Sequence, residues 1–518
     1  MPHHCFLPAK VRLLLLTLFL FILVPPLQAE VKLAGVFGNN MVLQRDTNFS
    51  VWGNADPGES VTVSVAGQSA STKADADGNW CVTLHPLHSC AAPIEFIVTG
   101  TNTITLQNVL IGDVWLCSGQ SNMVYPVYKE QNTREELPQA DHPTLRLCGF
   151  SAKPMREPLT DRKLQWSICT PATAKTFSAV GYFFGRTLLT NLAVPIGLIS
   201  SAVSGTPAQS WTSLNGLKSD PALKPYLDAY EQMKDEPAKG KDPHEAAPGT
   251  PASLFNGMIA PLTPLPIKGV VWYQGESNTD TNNLYQNLLP ALVRDWRRHW
   301  GQKQLPFLIV QLPGFGRRQP DPAPSKWAAV REAQALAASQ LHTGLAVTLD
   351  LSAPRNILHP PNKREVGRRL ALVAEEMIYG EKIASSGPVY KSSNFKGAQA
   401  RITFDHVGSA LDIGTPSPTD PNEPSAALDL RLKGFTIAGT NQIFVRAEAV
   451  IDGNSVIVSS PEIAVPVAVR YGWEDNPEVT LYNRDGLPAA PFRTDTWPFH
   501  YPAPKPTDKN ELNEAPKF

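Results

Sequence analysis

Apolar and polar residues alternate along Val61–Val65 and again along Asn102–Leu106. A period of two predicts half-buried β-strands. Asp56-Pro57-Gly58 and Asp77-Gly78-Asn79 supply turn chemistry between such segments. Residues 30–109 therefore read as a small β-sandwich module. The pattern then changes. Val109–Cys117 is a nearly continuous apolar run, as are 195–200, 269–273, 307–311 and 345–350. Runs of this kind mark strands buried on both faces. Helical periodicity lies between them, over 179–192, 285–300, 327–341 and 363–379, with Gly380 placed as a C-terminal cap. Strands that alternate with helices predict an α/β domain over 110–385, with a parallel sheet and helices on both faces. Ligands in such domains bind at the carboxyl ends of the strands.

Residues 213–255 interrupt the alternation with six prolines and read either as an insertion lining the site or as a surface excursion. After Gly380 short β-rich segments return, with Asp452-Gly453 as a hairpin signal. A second β module is expected over 386–501, then an unstructured Pro- and Lys-rich tail over 502–518. At the other end, Lys10 and Arg12 precede an apolar stretch from Leu13 to Val24, broken by Pro25 and Pro26. That is the form of an export signal cleaved after Ala29. An exported chain, periplasmic or secreted, with no membrane segment after cleavage is expected. Five cysteines would remain, and their spacing suggests Cys81–Cys90 and Cys148–Cys169 disulfides with Cys117 free.

Composition narrows the function. The 518 residues hold 46 Lys plus Arg against 47 Asp plus Glu, a net charge of −1. A nucleic-acid binder usually carries a basic excess, so that class is set aside. The length asks for about three domains. No CxxC pair or tight Cys/His cluster points to a metal site.

The chemistry sits in short segments just after the buried runs. Ser118-Gly119-Gln120-Ser121-Asn122-Met123 turns off the first of them and presents a hydroxyl at the strand end. Ser204-Gly205-Thr206-Pro207 offers a glycine N–H that can approach a substrate closely. Trp272-Tyr273-Gln274-Gly275-Glu276-Ser277-Asn278 forms the third segment, and His359-Pro360-Pro361 carries an imidazole into the same edge. A serine nucleophile needs such a base. Met123 stands where an α/β-hydrolase elbow has its second glycine, so that motif is not present.

Met41-Val-Leu-Gln-Arg45, Gly112–Met123, Trp272–Asn278 and His359-Pro360, in this order, make the chain resemble the SGNH (GDSL-type) esterases, and among them the sialate O-acetylesterase family. The resemblance implies a three-layer α/β/α catalytic domain flanked by β modules. It implies hydrolysis of O-acetyl esters on sugars without metal or organic cofactor. It makes Ser121 the nucleophile, His359 the base, and Gly205 and Gln274 oxyanion donors beside the Ser121 N–H. Many SGNH enzymes have Asp three residues before the histidine, where this chain has Asn356. Asp350, Glu276 or a backbone carbonyl are the candidates to orient His359.

Each assignment competes with a plainer one. Asn122 can touch substrate or brace the site. Trp211 can stack on a sugar or pack a loop. Glu276 can hold neighbouring loops, Asp350 can cap its strand, and Asp113 reads as structural. Lys363, Arg364, Arg368 and Arg369 can attract an acidic sugar or, more simply, form the solvated face of a helix. Two other functions stay open: an acetylesterase of xylan or xyloglucan, and a catalytically inactive carbohydrate-binding protein.

Overall fold

A computed structural model describes residues 30–236, 242–340, 342–352, 356–414 and 431–498. The expected signal segment over 1–29 and the expected tail over 502–518 lie outside the described residues. Among the described residues, no helix is long and apolar enough to cross a membrane.

The central sheet runs Gln165–Cys169, His142–Gly149, Ile196–Ala202, Thr103–Gly119, Gly269–Tyr273, Phe307–Val310, Thr343–Ala346. All neighbours are parallel except the first pair. The chain enters at Thr103–Gly119, fills one side of the sheet with the next strands, then crosses to the other side at Gly269–Tyr273. Such a reversal leaves a crevice at the carboxyl ends of the strands beside it.

Both faces are covered. Trp115 meets Phe184 edge-on at 4.9 Å, and Cys117 lies under Gly181, both on helix Ala179–Leu192. Helix Lys363–Met377 packs on that same helix. Trp272 pairs in register with Ser118, whose side chain points the opposite way from Cys117. On that face Trp272 packs edge-on against Trp296 of helix Asn282–His299, which packs on Lys326–Ala338. This is the three-layer α/β/α arrangement with β-rich flanks. The described part of 213–255 includes helix Leu214–Lys218, packed behind Asn282–His299, with Ser213 bonded through N–H and Oγ to buried Asp295.

The Thr103–Gly119 strand is shared by the N-terminal β-rich part and the central sheet. Its first half pairs with Cys90–Thr99 of the N-terminal module, and its second half is the middle of the catalytic sheet. The division expected at 109/110 falls inside this strand. Asp113 fastens the junction. It takes a two-point ion pair from Arg45, a bond from Gln44, and the Tyr379 hydroxyl at 2.9 Å. This explains the Met41–Arg45 motif as a clasp between module and core.

The C-terminal module is tied through Arg331. Its buried guanidinium donates to the Gly472 and Glu474 carbonyls. Val347 and Leu349, just past the last catalytic strand, enter that module's core.

The expected disulfides do not form. Cys148 faces Trp166 in the antiparallel pairing, while Cys169 faces His142. Cys81 pairs with Trp52 and Cys90 with Ile111, on different neighbours. All five described cysteines are free thiols.

Asp113→Ala leaves the partly exposed Arg45 with Asp46 alone among the described residues and removes the acceptor of Gln44 and Tyr379. Loss of these bonds costs about 1–3 kcal/mol, which urea unfolding measures. A change below about 1 kcal/mol would mean that Asp113 does not clasp the module to the core.

Candidate active site

Gly119 ends the central strand with φ at 136°. A Cβ there would stand 2.1 Å from the Tyr273 carbonyl oxygen, so only glycine fits. The following Gln120 N–H bonds to that same carbonyl. The chain is pinned to the neighbouring strand and then turns, and Ser121 opens the short helix Ser121–Val124.

His359 arrives from the loop before helix Lys363–Met377. Its Nε2 lies 2.8 Å from Ser121 Oγ. Two residues 238 positions apart are thus placed at hydrogen-bond distance, the spacing a nucleophile and its base require. Burial first, and then the charges of Lys363 and Lys129, depress the imidazole pKa to about 4. Neutral imidazole is the form that accepts a proton.

Gly205 lies on the loop after Ile196–Ala202, which begins beside Gly119 through the Val203 N–H to Gly119 carbonyl bond. Its φ is 70°, it is exposed, and no atom lies within 4 Å of where a Cβ would be. Among the described residues, neither the Ser121 nor the Gly205 backbone N–H is spent on a protein hydrogen bond. Among them, too, no cluster of three His, Cys, Asp or Glu is arranged to hold a metal ion.

A family model described as carbohydrate esterase, sialic acid-specific acetylesterase, matches residues 111–376. A human sialate O-acetylesterase is 35% identical over 398 residues, covering 69% of this chain and 73% of that one. The mouse protein of the same name is 31% identical over 520 residues, covering 89% and 94%. Among solved structures, a carbohydrate acetylesterase from Xanthomonas citri superposes with a TM-score of 0.78 at 37% identity, covering 90% of this chain and all of that one.

The chain belongs to the sialic acid-specific acetylesterase family.

It is a carbohydrate O-acetylesterase, and several sequence assignments take a different form in it. Asn122 is fully buried and touches no open surface. Its Nδ2 donates to Glu276 Oε1 at 2.6 Å and to the Leu358 carbonyl at 3.1 Å, and its Oδ1 accepts from Lys363. Asn122 braces the esterase's site and does not line it. Glu276 points to Asn122, and burial holds its carboxyl above the usual range. Asp350 is spent elsewhere. Both its oxygens pair with Arg369, at 2.6 and 2.7 Å, and one also accepts from Tyr482. Asn356 is exposed.

Trp211 is fully buried against Trp272, with Nε1 donating to Thr206, so it offers no face to a sugar. Gln274 is buried as well. Its two amide hydrogens point to the Thr206 carbonyl and Asn278 Oδ1, and its oxygen accepts from Tyr285. That carboxamide ties the Gly205 loop to the third segment, and has no hydrogen left for an oxyanion.

The basic run of the last helix is not a solvated face. Lys363 and Arg369 are buried, and Arg364 alone of the four is exposed. Lys363 was the residue sequence reasoning missed. A signal existed: a cation in the first turn of a helix opposes the helix dipole and needs a specific reason to be there.

Gln274→Ala therefore lowers thermal stability as its main effect and leaves kcat within about tenfold, whereas loss of an oxyanion donor costs ~10²–10³ in kcat. Steady-state rates and melting curves on one preparation separate the two outcomes.

Proposed function

We propose that this esterase removes O-acetyl groups from sialic acids by a serine mechanism. The observation that carries the reading is the 2.8 Å contact between Ser121 Oγ and His359 Nε2 at the carboxyl edge of the central strand. The sialate O-acetylesterases among its relatives support the substrate.

His359 takes the Ser121 proton as Oγ attacks the acetyl carbonyl. The Ser121 and Gly205 N–H groups receive the oxyanion. The tetrahedral adduct collapses, and the sugar oxygen leaves with the proton from His359. A water then attacks the acyl-serine, again losing its proton to His359. Collapse of the second adduct releases acetate and returns that proton to Ser121. Preorganised donors act strongly in such a site because they need no reorganisation as charge develops. The basic start and apolar run of residues 10–24 support an exported protein that meets glycans outside the cytoplasm.

Ser121→Ala should abolish acetate release from an activated acetyl ester, and retained activity would refute the nucleophile. A panel of O-acetylated sialic acid and acetylated xylo-oligosaccharides reads the substrate. Turnover of the first is expected, and turnover of the second alone would make the protein a plant-polysaccharide acetylesterase. Glycan binding without acetate release from any panel member would make it a carbohydrate-binding protein.

The depressed His359 pKa gives a further expectation. The neutral base persists as pH falls below the ordinary histidine value of about 6.5. The acid limb of kcat/KM should lie near pH 4. A limb at 6 or above would mean that His359 sits in a wetter, less positive setting.

A further inference from the structure

Behind the Ser121–His359 pair lies a buried cluster that the reaction above does not use. Lys363 is fully buried at the first position of helix Lys363–Met377. Its Nζ donates to Asn122 Oδ1 and sits 5.2 Å from the ring centroids of both Tyr125 and Tyr273. Asn122 is the residue after the nucleophile. Through its amide hydrogens it holds Glu276 and the Leu358 carbonyl, and Leu358 is the residue before the base. One carboxamide therefore joins the nucleophile's turn, the base's loop and the third segment. The oxygen end of that carboxamide is held by the ammonium.

We propose that Lys363 is a positioning residue for the esterase reaction, acting through Asn122 to fix the His359 loop against Ser121 and placing a positive charge in the neighbourhood of the imidazole. The proposal rests on the serine mechanism above and adds a residue to it.

Three observations support it. A buried ammonium is costly unless compensated. Glu276 and Glu130 oppose that cost, and the two tyrosine faces offset it further. The second carboxylate oxygen of Glu276 is buried without a side-chain partner among the described residues, and Lys363 is the cation whose charge favours that carboxylate, after the hydrogen bond from Asn122. The ammonium is also oriented. An amide facing the other way would bring its N–H hydrogens against the ammonium and leave the Leu358 carbonyl without its donor. Lys363 thereby selects the rotamer of Asn122 that holds the base's loop.

Among the described residues, charged, titratable and aromatic groups face this cluster from several elements. Lys363 meets Glu276, Glu130, Tyr125, Tyr273 and His359. His359 meets Ser121, Tyr125, Lys363 and Lys129. Burial draws the ammonium down to about 7, so it is charged throughout the acid range in which His359 titrates.

The test compares Lys363→Met, Lys363→Gln and Lys363→Arg in the full-length protein. Met removes charge and hydrogen bond, Gln restores only a donor, and Arg restores the charge. For Met we expect kcat to fall about 10–100-fold with KM within about threefold, and the acid limb of kcat/KM to rise by about one pH unit. Gln should keep the raised limb, and Arg should return it toward the parent value. A limb unmoved in both Met and Gln, or a loss confined to KM, would overturn the proposal. If Met does not fold, Gln and Arg carry the comparison. NMR titration of the His359 ring in the parent, Gln and Arg proteins gives the same reading without turnover. A parent protein that releases no acetate would defeat the serine mechanism, while the ring titration would still report whether Lys363 acts on His359.

Discussion

Most of this molecule depends on the fact that the Thr103–Gly119 strand can end only one way. Gly119 lies so close to the Tyr273 carbonyl that a side chain is excluded there. Directly afterwards the Gln120 N–H takes that carbonyl as its partner. The turn carrying Ser121 is set by main-chain contact with the next strand, and not by flexible side chains. The same strand begins in the N-terminal module and is clasped at its middle by Arg45, Gln44 and Tyr379 on Asp113. The nucleophile stands at the end of one long strand whose other end pairs with the N-terminal β-rich part. That arrangement suits catalysis, which loses rate steeply when reacting groups are displaced by about 1 Å.

The opposite partner is held differently. His359 comes from a loop, and its register is set by Asn122, Lys363 and Glu276. Close by, Asp350 and Arg369 form a second buried pair that also reaches Tyr482 in the C-terminal module. Helix Lys363–Met377 thus sends one cation toward the active site and another toward the domain junction. The contacts that hold the base's loop and those that reach the C-terminal module therefore start from one helix.

Much of this could be read from the residues. Continuous apolar runs placed four of the parallel strands, because doubly buried strands have no polar face to confuse the pattern, and the fifth run caught only the end of the half-buried strand Thr343–Ala346. Helix Ala179–Leu192 and strand Gly269–Tyr273 fall where periodicity predicts. The strands His142–Gly149 and Gln165–Cys169 were not legible. Their faces mix exposed and buried positions, and buried Arg146 breaks the apolar run. Within the site, Ser121 and His359 carried motif signals. The roles of Asn122, Trp211, Gln274, Asp350 and Lys363 depend on which buried neighbour each side chain finds, and those neighbours lie up to 241 positions away in the chain. A short motif shows that a polar residue is present and not whether it faces substrate or its own scaffold.

The free thiols give the fold a particular independence. Cys117, Cys148 and Cys169 are buried, and burial pushes each thiol above its ordinary range, Cys117 to about 12. Thiolates are the reactive form, so these sulfurs are chemically silent inside the core. Only Cys81 is exposed and Cys90 half-exposed among the described cysteines, and neither staples one element to another. Among the described residues the architecture is held by apolar packing, hydrogen bonds and buried ion pairs, with no disulfide for a reductant to break.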